Sequence, residues 1–272
     1  MQTFNGLFTK KIENRLIYLS RMEKPLKDKL KIVKYIPKNV ANILDVGCAD
    51  GSLTIALAKT FPDKIFLGVD LDDNFLDLAK EKAQGLKNIK FEKIYLRDLL
   101  ARPERFDVVI FCSVLHEFFS YGEGISSVLK AIADAHELLR KSGVIIIRDM
   151  ILSEYTKNAN LKCLEVADKI YKAGLDITKE FEVRFGKLNN IYKINHYLLK
   201  YFYQENWNRE GKENYVPVTI EQYGQIFSLL GMREQSESYL LDFFKDKWKK
   251  DFNLTADEIS EFKSTGIIVA QK

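Results

Sequence analysis

The stretch ANILDVGCADGSLTIALAK, Ala41 to Lys59, decides how this chain folds. Ile43 to Val46 reads as a short buried strand, Gly47 to Gly51 as a tight turn of small residues, and Ser52 opens a helical run carrying Leu53, Ile55 and Leu57. A strand that feeds a helix through small residues leaves backbone N–H groups and the positive end of the helix dipole at the carboxyl edge of a sheet, where open α/β sheets bind ligands. Gly47 and Gly51 carry no Cβ to block a close approach, and Asp45 adds an acceptor at the strand end. The dinucleotide fingerprint G-x-G-x-x-G is not met, because Cys48 and Ala49 follow Gly47. The phosphate loop is excluded as well, since Ser52 and Leu53 follow Gly51.

Moving outward, Lys64 to Asp70 forms a second strand that ends in an acid 19 positions past Gly51. In nucleoside-binding α/β folds a carboxylate at that place accepts from the ribose hydroxyls. Leu71-Asp72 leads into a helix from about Asn74 to Gln84, stopped by Gly85. Ile89 to Tyr95 is a third strand, followed by Asp98-Leu99, a pair able to accept from an adenine amine and donate a backbone N–H to its ring. Asp107 to Cys112 is a fourth strand, apolar enough to be buried on both faces, and it runs into Ser113 and His116. A helix with Val128, Leu129, Ile132, Ala135 and Leu139 on one face, stopped by Gly143, precedes a fifth strand at Val144 to Ile147. Strand and helix thus alternate from Ala41 to Asp149, predicting a doubly wound parallel sheet. Asp45, Asp70, Asp98, Ser113 and Asp149 then fall on one edge of it.

The turn Asp45-Val46-Gly47-Cys48-Ala49-Asp50-Gly51 resembles motif I of the class I S-adenosylmethionine-dependent methyltransferases, D-x-G-x-G-x-G, with Ala49 in place of the middle glycine. The resemblance covers about Asn39 to Asp149 and resumes from Thr219 to Lys272, with a helix at Thr219 to Leu230 and strands at Met232 to Leu241 and Thr265 to Ala270. It implies a Rossmann-like α/β fold with a seven-stranded, mostly parallel sheet whose last pair runs antiparallel. It also implies S-adenosyl-L-methionine as cofactor, held by Asp45, Gly47, Cys48, Ala49, Gly51, Asp70, Leu71, Asp98, Leu99 and Ser113. Leu115-His116-Glu117-Phe118-Phe119-Ser120 resembles the L-H-D-W-S stretch of plant-type and bacterial O-methyltransferases, with Glu117 and Phe118 in place of Asp and Trp. In those enzymes the histidine is the general base, and His116 is the candidate here; a role packing beside the cofactor and a capped helix start are the other readings.

The remaining segments set the domain plan. Residues 1–40 read as a helical lead-in, with Leu16, Ile17, Leu19, Leu26, Leu30 and Ile32 apolar among lysines. Residues 41–150 form the cofactor core, 151–217 a helical insertion after the fifth strand, and 218–272 the completion of the sheet, with a further inserted piece at 243–262. Within the first insertion Leu161–Ala173 and Phe181–Gln204 look helical, and its aromatic residues suggest a cap over a substrate cleft or a dimerisation element. His196, Tyr197 and Tyr201 are its candidate substrate contacts.

With 46% hydrophobic and 29% charged residues, the composition is that of a globular protein. No apolar run is long enough for a membrane span, and the first residues lack a signal peptide's apolar core. Cys48, Cys112 and Cys163 are too scattered for a disulfide framework or a zinc site, which fits a reducing cytoplasm. No metal site is expected, because Met150 follows Asp149 where metal-dependent catechol-type relatives carry Asn. The expected activity is methyl transfer to an oxygen of a small molecule. The alternatives are an RNA-modifying enzyme, which the lysines and cap aromatics would suit but the interleaved Glu165, Asp168, Glu180, Glu182, Glu205, Glu210 and Glu213 oppose, and a non-catalytic cofactor-binding protein. A homodimer is compatible with either arrangement of the insertion.

Overall fold

Parallel strands covered on both faces need nearly unbroken apolar sequence, and Ile43-Leu44, Val108 to Phe111 and Val144 to Ile147 supply it. These segments form the middle of a seven-stranded sheet in the computed structural model, which describes residues 25–272. The strands are β1 (Asn42–Val46), β2 (Ile65–Asp70), β3 (Ile89–Lys93), β4 (Phe106–Cys112), β5 (Leu139–Asp149), β6 (Arg233–Tyr239) and β7 (Thr265–Gln271), in the order β3-β2-β1-β4-β5-β7-β6. β3, β2, β1, β4 and β5 are parallel, and β7 lies antiparallel between β5 and β6. The order reverses between β1 and β4, which opens a crevice at their carboxyl ends.

Twelve α-helices accompany the strands among the described residues: α1 (Leu26–Lys29), α2 (Ser52–Thr60), α3 (Asp73–Lys82), α4 (Leu115–Tyr121), α5 (Ile125–Leu138), α6 (Leu161–Lys172), α7 (Asp176–Phe185), α8 (Ile191–Lys200), α9 (Trp207–Glu210), α10 (Ile220–Leu229), α11 (Asp242–Phe252) and α12 (Ala256–Ser260). Val128, Ile132 and Ala135 of α5 pack with Tyr223 and Phe227 of α10 on one set of strand side chains. Ile32 and Ile36 of the lead-in join Leu53 and Leu57 of α2 on the alternate set, with Phe66, Val108, Ile110 and Ile146. The described part of the lead-in therefore packs beside the first strand and helix; Leu16, Ile17 and Leu19 lie outside the described residues.

The structure departs from the sequence reading in two places, at the start of β5 and within the insertion. β5 starts at Leu139, so Gly143 sits inside a strand and α5 stops at Leu138 without a glycine. β6 exposes Arg233 and Glu234, as an edge strand that must resist pairing with other chains does. The single helix expected at Phe181–Gln204 is broken. Gly186 takes φ +88°, a left-handed conformation that ends α7. The Asn190 side chain then accepts from the Lys193 N–H to start α8.

The two insertions share one core. Phe244, Trp248, Phe252 and Phe262 from the 243–262 piece pack with Val166, Ile170, Phe181, Ile194 and Tyr197. Trp248 Nε1 donates to the Leu198 carbonyl at 3.0 Å, and Asn195 exchanges hydrogen bonds with the Lys263 backbone at 2.7 and 2.9 Å.

Candidate functional site

The turn after β1 is strained where its sequence is unusual. Gly47 has φ +71°, and a Cβ there would stand 2.4 Å from Val114 Cγ2, so only glycine fits. Ala49 has φ +48°, held by its N–H donating to Asp70 Oδ2 at 2.8 Å. A left-handed alanine costs on the order of 1 kcal/mol relative to glycine. Ala49→Gly is therefore expected to raise unfolding stability by roughly that amount, read as a higher urea midpoint with an unchanged slope.

Asp45, at the end of β1, is fully enclosed and accepts from Thr54 Oγ1 at 2.6 Å. Burial pushes its carboxyl up to about 6, against the hydrogen bond from Thr54. A carboxyl raised in the folded state holds its proton longer than the unfolded chain does. Stability should thus fall as pH rises from about 4 to 6. Asp45→Asn should abolish that slope, a difference of roughly 2–3 kcal/mol by pH 7 in urea unfolding of the ligand-free protein.

A cavity of about 630 Å³ opens over the carboxyl ends of β1, β2 and β4. Of the residues singled out in the sequence, Asp45, Gly47, Cys48 and Ala49 line it from the first turn, Asp70 and Leu71 from the second, and Asp98, Ser113 and His116 from beyond. Gly51 and Leu99 do not. Gly51 packs against Phe91 and Ala79, and the Leu99 side chain is in the main core. Asp70 accepts from the Ala49, Leu71 and Asp72 amides at 2.8, 2.7 and 3.0 Å. These occupy three of a carboxylate's roughly four acceptor positions and fix its plane, leaving room for a ligand hydroxyl. Pro25 and Lys29 of the lead-in close one side of the cavity. The lining carries ten Asp or Glu against four Lys or Arg, a surplus of negative charge suited to a cationic ligand.

His116, in the first turn of α4, lines this cavity. Its Nδ1 lies 2.8 Å from Asp149 Oδ1, and its backbone N–H donates to Asp149 Oδ2 at 3.2 Å. Asp149 thereby fixes the ring and directs Nε2 toward Glu213, whose Oε2 is 3.9 Å away. Burial alone would lower the imidazole, but the charge and hydrogen bond of Asp149, with Glu213 and Glu117, hold its pKa above the ordinary histidine value. Glu213 Oε1 accepts from Tyr121 at 2.8 Å and from Arg209 Nε at 2.9 Å, while Arg209 Nη2 donates to Glu117 at 2.9 Å. Ser120 Oγ donates to the His116 carbonyl and accepts from the Asn214 N–H. Among the described residues, His116, Glu117 and Glu213 are also the group whose ligand atoms lie within 4.8 Å of one another, as a metal would need. The Arg209 guanidinium already supplies a cation to both of those carboxylates.

The structure places the candidate substrate contacts of the insertion away from this cavity. His196, Tyr197 and Tyr201 are buried in the second core and do not line the cavity. Their polar ends are already engaged: Tyr197 with Thr178, Tyr201 with Asp251, and His196 Nε2 accepting from the Tyr215 N–H. His196 and Tyr197 on α8 pack against Phe181 of α7, and Tyr197 and Tyr201, the residue after α8, against Phe252 of α11. The insertion instead reaches the cavity with Tyr203, Arg209, Glu210, Glu213 and Tyr215. The Arg209-Glu213 spacing of four and the aromatic residues around it were the available signal. Asp149, which the sequence places on the same sheet edge, is the partner of His116.

A family model described as "Methyltransferase domain" matches residues 37–211. A curated relative, the ribosomal protein L11 methyltransferase of Dictyoglomus turgidum, is 30% identical over 144 residues, 50% of this chain and 43% of that protein. This chain therefore spans less than half of that relative's length. Two solved structures share the fold: an O-methyltransferase family protein from Burkholderia thailandensis, with TM-score 0.56, 12% identity and coverage of 94% of this chain and 58% of that one, and a SAM-dependent methyltransferase from Archaeoglobus fulgidus, with TM-score 0.54, 14% identity and coverage of 95% and 100%.

Proposed function

The chain belongs to the methyltransferase-domain family, and from that premise we propose that it transfers a methyl group from S-adenosyl-L-methionine to an oxygen of a small molecule, with His116 as general base. The observation that carries this reading is the His116–Asp149 pair at the inner wall of the cavity that the Gly47–Ala49 turn opens. When bound, S-adenosylmethionine supplies a methyl group already activated by positive sulfur. The residues present suit it: Asp70 would accept from the sugar, Asp98 from the purine amine, and the acidic lining would offset the sulfonium charge.

What the chain itself must do is align the acceptor and free its lone pair. His116 Nε2 takes the acceptor hydroxyl's proton, while Nδ1–H stays donated to Asp149, whose carboxylate stabilises the resulting imidazolium. The insertion acts as a substrate cap, with Tyr203 and Tyr215 giving apolar walls and Arg209, Glu210 and Glu213 the polar contacts. A cavity of about 630 Å³ that must hold the cofactor as well leaves room for a compact acceptor. Its acidic lining disfavours the RNA alternative, since phosphates would meet carboxylates.

The test is incubation with methyl-labelled S-adenosylmethionine and, in parallel, a panel of hydroxylated small molecules and total RNA. Label entering a small molecule as an acid-stable, base-stable ether is the expected result. Label entering RNA alone would contradict the proposal.

A further inference from the structure

Glu213 reaches His116 from a segment with little regular structure of its own. α9 spans only Trp207–Glu210, and residues 211–217 that follow are irregular. Lys200, the last residue of α8, is fully buried beneath that segment. Its Nζ donates to the main-chain carbonyls of both Glu210 and Glu213. The same ammonium lies 4.2 Å from the Tyr215 ring centroid and 4.6 Å from that of Phe185. Two carbonyls and two ring faces thus replace its hydration shell, which a buried cation requires.

Resting on the reading of His116 as the base, we propose that Lys200 is a positioning residue, whose ammonium pins the Glu210–Glu213 turn so that the Glu213 carboxylate stays against His116 Nε2. Lys200 touches neither His116 nor the cavity; it acts through the turn it holds. The segment's other ties run from Tyr121 and Arg209 to Glu213, from Ser120 to the Asn214 N–H, from Tyr192 to the Val216 carbonyl, and from the Tyr215 N–H to His196 Nε2. Lys200 grips the same turn from beneath by its backbone.

The charged and titratable groups around His116 are Asp149 on β5, Glu117 on α4, Glu213, Arg209 bridging those two glutamates, Tyr215 with its ring edge-on at 5.5 Å, and neighbouring His196. This makes the sign of one measurement decisive. Burial pulls the Lys200 ammonium down to about 7 against the charges of Glu210 and Glu213; where it is charged, removing that charge with nothing moved would raise the His116 pKa, because a nearby positive charge disfavours imidazolium. Releasing Glu213 would lower it, because a stabilising carboxylate is lost.

The chain has three histidines, so the imidazole signals of His116, His136 and His196 can be followed separately by nitrogen-correlated NMR across a pH titration of the full-length protein. In Lys200→Met the His116 pKa should move down, in the same direction as in Glu213→Gln, and the double variant should match Glu213→Gln alone. Lys200→Gln, which retains one donor group and disturbs the core less, should give a smaller downward shift and serves where the methionine variant does not fold. An unchanged or raised His116 pKa in the Lys200 variants, or shifts that add in the double variant, would overturn the proposal. S-adenosylhomocysteine affinity, measured alongside, should be unaltered by the Lys200 changes. Its absence in the wild type would strike the methyl-transfer reading while leaving the pKa result standing on its own.

Discussion

Replacing His116 with alanine is expected to reduce turnover by about 10²–10⁴-fold, the usual contribution of a general base, while S-adenosylhomocysteine affinity stays nearly unchanged. The separation follows from geometry. The turn residues Gly47 to Ala49 and the carboxylates of Asp70 and Asp98 line the cavity independently of the His116 ring. Asp149→Asn should also lose most activity, because an amide can no longer stabilise the charged imidazole or insist on the Nδ1–H tautomer. The pH dependence carries a sign. His116 must be neutral to accept a proton, so kcat/KM should rise with pH through a pKa above the ordinary histidine value. In Asp149→Asn that limb should move to lower pH. Unchanged turnover in His116→Ala would remove the assigned base and leave His116 a packing role.

Asp28→Ala is expected to destabilise the fold by about 3–5 kcal/mol, because it strands a buried guanidinium. Asp28 in α1 receives Nε and Nη2 of Arg148, the Tyr239 hydroxyl and the Lys31 ammonium. Arg148 Nη1 continues to Ser113 Oγ at 3.0 Å. The pair thus ties the lead-in to the ends of β5 and β4, beside the cavity. Burial alone would raise the Asp28 carboxyl, but its hydrogen bonds from Lys31, Arg148 and Tyr239 hold it below the usual carboxylate range. A carboxyl lowered by folding contributes stability at neutral pH that is lost as pH falls through its folded pKa. The wild type should therefore lose stability on acidification more steeply than Asp28→Ala. Replacing both partners, as Asp28→Leu with Arg148→Met, should destabilise much less than Asp28→Ala, since no charge is left buried alone. Urea unfolding measures each difference, and a loss under about 1 kcal/mol in Asp28→Ala would mean that the pair is screened by water.

These two clusters also mark how far the sequence could be read. β1 to β5 were legible because burial on both faces forces apolar runs, and the turn after β1 was legible because close approach demands small residues. Local chemistry of that kind leaves a local signature. Pairings across long separations leave none. Arg148 and Asp28 are 120 residues apart, and His116 and Asp149 are 33 apart, joined only once β4 and β5 lie side by side. The insertion was readable as helical and aromatic, yet which of its aromatic residues face the cavity depended on where α8 meets α11. Tyr197 and Tyr201 turned inward, and Tyr203 and Tyr215, past the end of the helix, turned toward the cavity. Glu213 looked like one more surface acid because nothing in its neighbours reveals that Lys200 and Arg209 enclose it.

The central claim is that the crevice at the carboxyl ends of β1, β2 and β4 binds a sulfonium nucleoside. Isothermal titration of the folded protein with S-adenosylhomocysteine tests it most directly. One site per chain is predicted, with affinity sharply reduced in Asp70→Ala and retained in His116→Ala. No heat of association with either S-adenosylhomocysteine or S-adenosylmethionine, in protein whose fold is verified by its cooperative unfolding, would contradict the account.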